Sequence, residues 1–116
     1  MDKPYLVDLP KILDERGNLS FFENSNQIPF DIKRTYWIYD VPGGQERGSH
    51  AFKNSNEFIV ALSGSFDVEL TDGTNLFKFS LNRSYTGLYI PKMYWRTLNH
   101  IHLLNKMILN QHIVRR

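Results

Sequence analysis

Cysteine is absent from this chain, which excludes disulfide bonds, thiolate nucleophiles and cysteine-held metals before any pattern is read. Long hydrophobic runs are missing as well. No stretch approaches the roughly 20 apolar residues that cross a bilayer, and the opening Met1-Asp2-Lys3-Pro4-Tyr5 lacks the hydrophobic region of a secretion signal. A cytoplasmic protein with no membrane partner is therefore expected. Charge of one sign is equally scarce: 14 Lys and Arg stand mostly singly among 12 Asp and Glu, for a net charge of +2. Proteins that bind nucleic acid show a concentrated basic face, so no nucleic-acid partner is expected, while a small anionic ligand stays compatible with the balance. Internal repeats of solenoid length and low-complexity stretches are also lacking.

What remains is a chain of 116 residues, enough for one core, and residues 1–116 are read as a single domain. Aromatic residues make up 14%, and the 7 glycines and 5 prolines are spread along the chain, a composition that suits short strands joined by turns. Residues 4–14 read as one or two strands interrupted by Pro10, Asp14-Glu15-Arg16-Gly17 as a turn, and 18–23 as a strand. Residues 32–40 alternate, which puts Arg34, Tyr36 and Ile38 on one face and Lys33, Thr35, Trp37 and Tyr39 on the other. Phe58 to Leu62 is a continuous apolar run and predicts a strand buried on both sides, whereas Phe66-Asp67-Val68-Glu69-Leu70 alternates as a half-exposed strand does. Asp72-Gly73 signals a hairpin, with 76–81 returning and 86–90 leading to Pro91. No helical period is found through residue 98, so the expected fold class is all-β, a closed barrel or jelly roll. Residues 101–116 leave two readings open, one more strand around Met107 to Leu109 or a short helix.

One histidine organises the rest. Gly44, five residues, His50, one residue, Phe52, four residues, Glu57, six residues and Gly64 resemble the first motif of the cupin barrels, in which His, His and Glu face one cavity. Position 52 carries phenylalanine in place of the second histidine. The second cupin motif places a further histidine after a Pro-x-Gly turn, and Pro91-Lys92-Met93-Tyr94-Trp95-Arg96 has Arg96 there instead. A transition-metal site needs three or four nitrogen, sulfur or carboxylate ligands. His50 and Glu57 are too few, and a guanidinium beside them opposes a cation. A pocket with no metal and no other cofactor is expected, one that keeps a histidine, a carboxylate and an arginine.

Asp14-Glu15-Arg16-Gly17-Asn18-Leu19, Ile28 to Tyr36, Arg47-Gly48-Ser49-His50-Ala51-Phe52-Lys53 and Leu62 to Val68 together resemble the WxcM-like sugar-nucleotide 3,4-ketoisomerases, the FdtA-type cupins. The resemblance runs in order over residues 8–98. It implies a cupin-type jelly-roll barrel without metal, assembled as a domain-swapped homodimer. It also implies an isomerase that converts a dTDP-linked 4-keto-6-deoxyhexose into its 3-keto isomer, on a route to amino sugars of surface polysaccharides. The family's commonest pattern is Arg-Gly-x-His-Ala-His-Lys, with both histidines moving protons. His50 matches the first and Phe52 replaces the second, so the alternative is a non-catalytic sugar-nucleotide-binding cupin. Residues 100–116 depart from the family pattern and read as an atypical C-terminal segment, with truncation as one reading.

Moving a ketone from C4 to C3 takes a proton from C3, passes through an enediolate and returns a proton to C4. A histidine, with an ordinary pKa of about 6.5, does both transfers near neutral pH, and a tyrosine or arginine stabilises the oxyanion. On this reading His50 is the base and shuttle, Tyr36 assists at the keto oxygen, and Arg34, Arg47 or Arg96 holds the pyrophosphate. Glu57 is either a second proton carrier or the partner of a nearby arginine. Trp95 and Tyr94 either stack on the thymine or sugar ring or pack the barrel mouth. His100, His102 and His112 are assigned no role.

Overall fold

The computed structural model describes residues 2–42, 46–51, 55–102 and 106–113, with backbone alone at 47–51, 100–102 and 106–113. The strands are β1 (Tyr5–Asp8), β2 (Lys11–Ile12), β3 (Leu19–Ser20), β4 (Arg34–Tyr39), β5 (Arg47–Ala51), β6 (Ser55–Ala61), β7 (Ser65–Thr71), β8 (Leu76–Leu81), β9 (Thr86–Ile90), β10 (Trp95–His102) and β11 (Lys106–Ile113). They form an antiparallel five-stranded sheet in the order β1-β9-β6-β11-β4, a four-stranded sheet β5-β10-β7-β8, and a separate two-stranded hairpin β2-β3. No helix is present among the described residues, and this is the all-β jelly roll that the turn spacing predicts.

The two larger sheets pack face to face. Ile59, Leu88 and Ile90 from one meet Phe66, Val68, Leu70 and Leu98 from the other in a common core. A second core lies on the outer face of the five-stranded sheet, where Phe58, Val60 and Tyr89 are covered by Leu9, Ile28 and Phe30. The apolar run beginning at Phe58 is thus dry on both faces, as its lack of alternation requires. Leu62 lies beyond β6 and is exposed. Gly87 on β9 is a packing glycine: a Cβ there would fall inside the Phe58 ring, so the pair interlocks across the sheet. The β7–β8 pair alternates as expected, joined by the Asp72-Gly73 turn with Gly73 at φ 98°.

Two local expectations change. The strand expected over 18–23 shrinks to Leu19–Ser20, because Phe22 leaves it to pack edge-on against Phe58, with centroids 5.1 Å apart. The helix alternative for the tail gives way to β11, which is paired on both sides, with β6 and with β4. Backbone groups in the middle of a buried sheet need such partners. Met93 takes φ 75° at the position that the Pro-x-Gly turn gives to glycine. That is a left-handed conformation costly for a non-glycine residue, so the turn keeps its shape without its usual residue.

Candidate functional site

Among the described residues, the two sheets carry a charged cluster between them. Glu57 lies on β6 and is completely buried, and Arg96 lies on β10 at 3% exposure. Sheets packed face to face are about 10 Å apart, a gap that a glutamate and an arginine bridge together, and the Arg96 guanidinium forms an ion pair with Glu57 Oε1. On the other side of the carboxylate, the Tyr36 hydroxyl donates to Glu57 Oε2 at 2.7 Å. Tyr36 reaches it diagonally across β11: Glu57 is in register with Gln111, which is in register with Arg34, two residues from Tyr36 on the same face of β4. The Arg34 guanidinium sits 5.4 Å over the Tyr36 ring, within reach of a cation–π contact.

Depth is graded along this line. Arg34 is exposed, Tyr36 half-buried, and Glu57 and Arg96 are closed off. Burial pushes the Arg96 guanidinium down from its ordinary value to about 10, against the attraction of Tyr36 that raises it. It is therefore still a cation at neutral pH. Arg96 Nη2 also approaches the Tyr94 carbonyl oxygen at 3.5 Å.

His50 is placed by backbone register: on β5 it stands directly opposite Arg96 on β10. Cross-strand partners share a face of the sheet, so the histidine position belongs to the face that carries Arg96. Arg47 stands opposite Leu98, with a register shift between the two pairs. Three residues of β5 thus match two of β10, the count of a β-bulge. A regular strand would set Arg47 and His50 on opposite faces; the bulge puts both positions opposite buried residues of β10. Phe52 lies outside the described residues.

The expected site residues are therefore brought together unequally. Arg34, Tyr36, Glu57 and Arg96 form one connected cluster, with the His50 position across from it. Of the three arginines considered for a pyrophosphate, Arg34 is exposed, Arg96 is engaged by Glu57 inside, and Arg47 is described by its backbone alone. Glu57 is paired with an arginine, Arg96. Trp95 is half exposed, turned by the pleat to the face opposite Arg96, and so stands apart from the cluster. Tyr94 packs: its ring meets Phe77 edge-on at 6.0 Å, and its hydroxyl donates to the Asp2 carbonyl at 3.2 Å. The missed feature is the Tyr36–Glu57 bond, whose two residues are brought into reach by a strand from the tail.

Among the described residues no three His, Cys, Asp or Glu gather to hold a metal ion, and the cluster's carboxylate is taken by a guanidinium. A hollow of about 520 Å³ lies beside the end of β4, lined by Trp37, Tyr39, Asp40, Pro42 and Glu46 rather than by the charged cluster. No helix among the described residues is long and apolar enough to cross a membrane.

Comparison with known proteins bears on this arrangement. A family model described as FdtA: WxcM-like, C-terminal matches residues 2–109. A TDP-4-oxo-6-deoxy-alpha-D-glucose-3,4-oxoisomerase of Aneurinibacillus thermoaerophilus is 37% identical over 94 residues, covering 81% of this chain and 68% of that one. The fold superimposes on the WlaRB TDP-quinovose 3,4-ketoisomerase of Campylobacter jejuni with a TM-score of 0.92 at 36% identity, over 100% of this chain and 89% of the other. It also superimposes on a His-to-Asn variant of the 3,4-ketoisomerase QdtA from Thermoanaerobacterium thermosaccharolyticum, in complex with TDP-4-keto-6-deoxyglucose. There the TM-score is 0.90 at 27% identity, over 97% of this chain and 82% of that one.

Proposed function

This chain belongs to the WxcM-like family of FdtA type, and on that premise we propose that it is a dTDP-sugar 3,4-ketoisomerase acting through the cluster between its sheets. The substrate is a dTDP-linked 4-keto-6-deoxyhexose and the product its 3-keto isomer. The observation that carries the reading is the meeting of Tyr36, Glu57 and Arg96 opposite the His50 position. It occurs in a chain matched over most of its length by a 3,4-oxoisomerase.

His50 takes the proton from C3 and returns one to C4. The charge that collects on oxygen in the enediolate is met by the field of Arg96, fixed before substrate arrives, and Tyr36 assists at the keto oxygen. Arg34 at the open end, with Arg47 from the bulged strand, holds the pyrophosphate. Neither a metal nor an organic cofactor takes part in this scheme. Because its substrate is a nucleotide sugar, we place the reaction in the cytoplasm and on a route to surface-polysaccharide sugars.

The protein acts as a domain-swapped homodimer. In support, the β2–β3 hairpin bonds to neither large sheet and leaves Ile12, Leu13 and Leu19 exposed, more apolar surface than a monomer's isolated hairpin keeps in water. A second reading rests on Phe52: with one histidine of the pair missing, the pocket binds dTDP-sugars without turning them over.

Incubation with dTDP-4-keto-6-deoxyglucose in deuterium oxide, followed by NMR, separates the two. Enzyme-dependent appearance of the 3-keto isomer with deuterium at C4 is the expected result, lost in His50→Asn with the fold intact. Tight dTDP binding by a folded sample with neither exchange nor isomer would replace the isomerase with the binder. Light scattering of the same sample is expected to give twice the monomer mass.

A further inference from the structure

The isomerisation moves two protons, and one histidine accounts for only one of them. A C–H bond breaks at C3 and forms at C4. An O–H bond breaks at O3 and forms at O4. Building on the proposed ketoisomerase activity, we infer that Tyr36 and Glu57 form the relay for the oxygen-bound proton, with Glu57 as the residue that positions Tyr36 for it.

The geometry gives the relay its direction. A carboxylate paired with a guanidinium is an acceptor only, so the Tyr36 proton is committed to Glu57 at 2.7 Å. The phenol oxygen then offers lone pairs to the substrate, where the C3 hydroxyl is a donor and the C4 ketone is not. Tyr36 accepts the O3 proton as it passes its own to Glu57, and the reverse transfer delivers a proton to O4. Both residues finish as they began, and no oxidant or reductant enters, because the carbonyl shift is internal to the sugar.

Burial assigns the order of the chain. Glu57 is completely buried, so it meets a ligand only through the groups bonded to it. Arg96, itself closed off, remains a cation beside it. Tyr36 is half-buried and lies next to the exposed Arg34, which makes it the member that faces the open end. The pair thus takes an oxygen-side task in a chain that carries Phe52 where the family pattern has its second histidine.

The test compares two rates in one tube. In deuterium oxide, deuterium entering C3 of unreacted dTDP-4-keto-6-deoxyglucose reports the carbon step, and the 3-keto isomer reports completion. In Tyr36→Phe, which leaves the Glu57–Arg96 pair intact, isomer formation is expected to fall by about 100-fold, the lower end of what acid–base catalysis contributes, while C3 exchange falls far less. Glu57→Gln is expected to show the same change in ratio; should it not fold, Tyr36→Phe decides. Exchange and isomerisation falling together, or neither falling, overturns the relay while the ketoisomerase stands. A wild-type protein that neither exchanges nor isomerises overturns the underlying function and the relay with it.

Discussion

The two large sheets solve different problems. At the centre of the five-stranded sheet, β6 and β9 are dry on both faces, with the inter-sheet core on one side and Leu9, Ile28 and Phe30 on the other. The four-stranded sheet has one dry face; on its other face Ser80 donates to Asp67 at 2.6 Å and Lys78 lies 3.7 Å from Glu69, both in the open. A charge on the wet sheet costs little, whereas a charge on the dry strands must be paired. Glu57 is such a charge, and its cation comes from the facing sheet. The ion pair is therefore a constraint between layers as well as part of the site.

Arg96→Met breaks this relation most severely. It strands the Glu57 carboxylate in the core and is expected to cost about 3–5 kcal/mol, read from denaturant midpoints. Glu57→Leu combined with Arg96→Met should recover much of that loss, although activity is gone. A double variant as unstable as the single one would mean that packing, and not the stranded charge, sets the cost.

Gly87→Ala comes next. It drives a methyl group into the Phe58 ring, and overpacking of this kind costs about 1–3 kcal/mol. In a Phe58→Leu background the added methyl has room, so the two effects should be strongly non-additive in a double-mutant cycle. Additivity would show that the ring and the glycine do not interlock.

On the wet face, Glu69→Gln should change stability by less than about 0.5 kcal/mol, with the difference vanishing at high salt. An effect there as large as that of Gly87→Ala would erase the contrast between the sheets.

Much of this contrast is legible in the residues. The unbroken run from Phe58 and the alternation from Phe66 to Leu70 announce a two-sided and a one-sided strand, since burial alone sets the pattern. Arg34 and Tyr36 are legible as sharing a face because period two is local. What escapes is whatever depends on partners distant in the chain. Nothing around Met107 to Leu109, flanked by Lys106, Asn110 and Gln111, marks a central strand, because its fit is decided by β4 and β6. The shift between Arg47 and His50 is hidden for the same reason: a bulge is a property of two strands in register. Trp95, read either as stacking on the thymine or sugar ring or as packing the barrel mouth, is the direct neighbour of Arg96, and adjacency in a strand is what separates the two.

The place of β11 also sets a timetable for synthesis. Strand β4 pairs in its sheet through β11, which leaves the ribosome roughly seventy residues later, a long-range closure of the kind that slows folding. Until then β4 has neither edge paired, an invitation to aggregation. A nascent chain stalled before residue 106 would hold Tyr36 and Glu57 without the strand that lies between them. Chaperone dependence during translation should therefore concentrate in that interval, and the chemistry of the site comes into being together with the last pairing of its sheet.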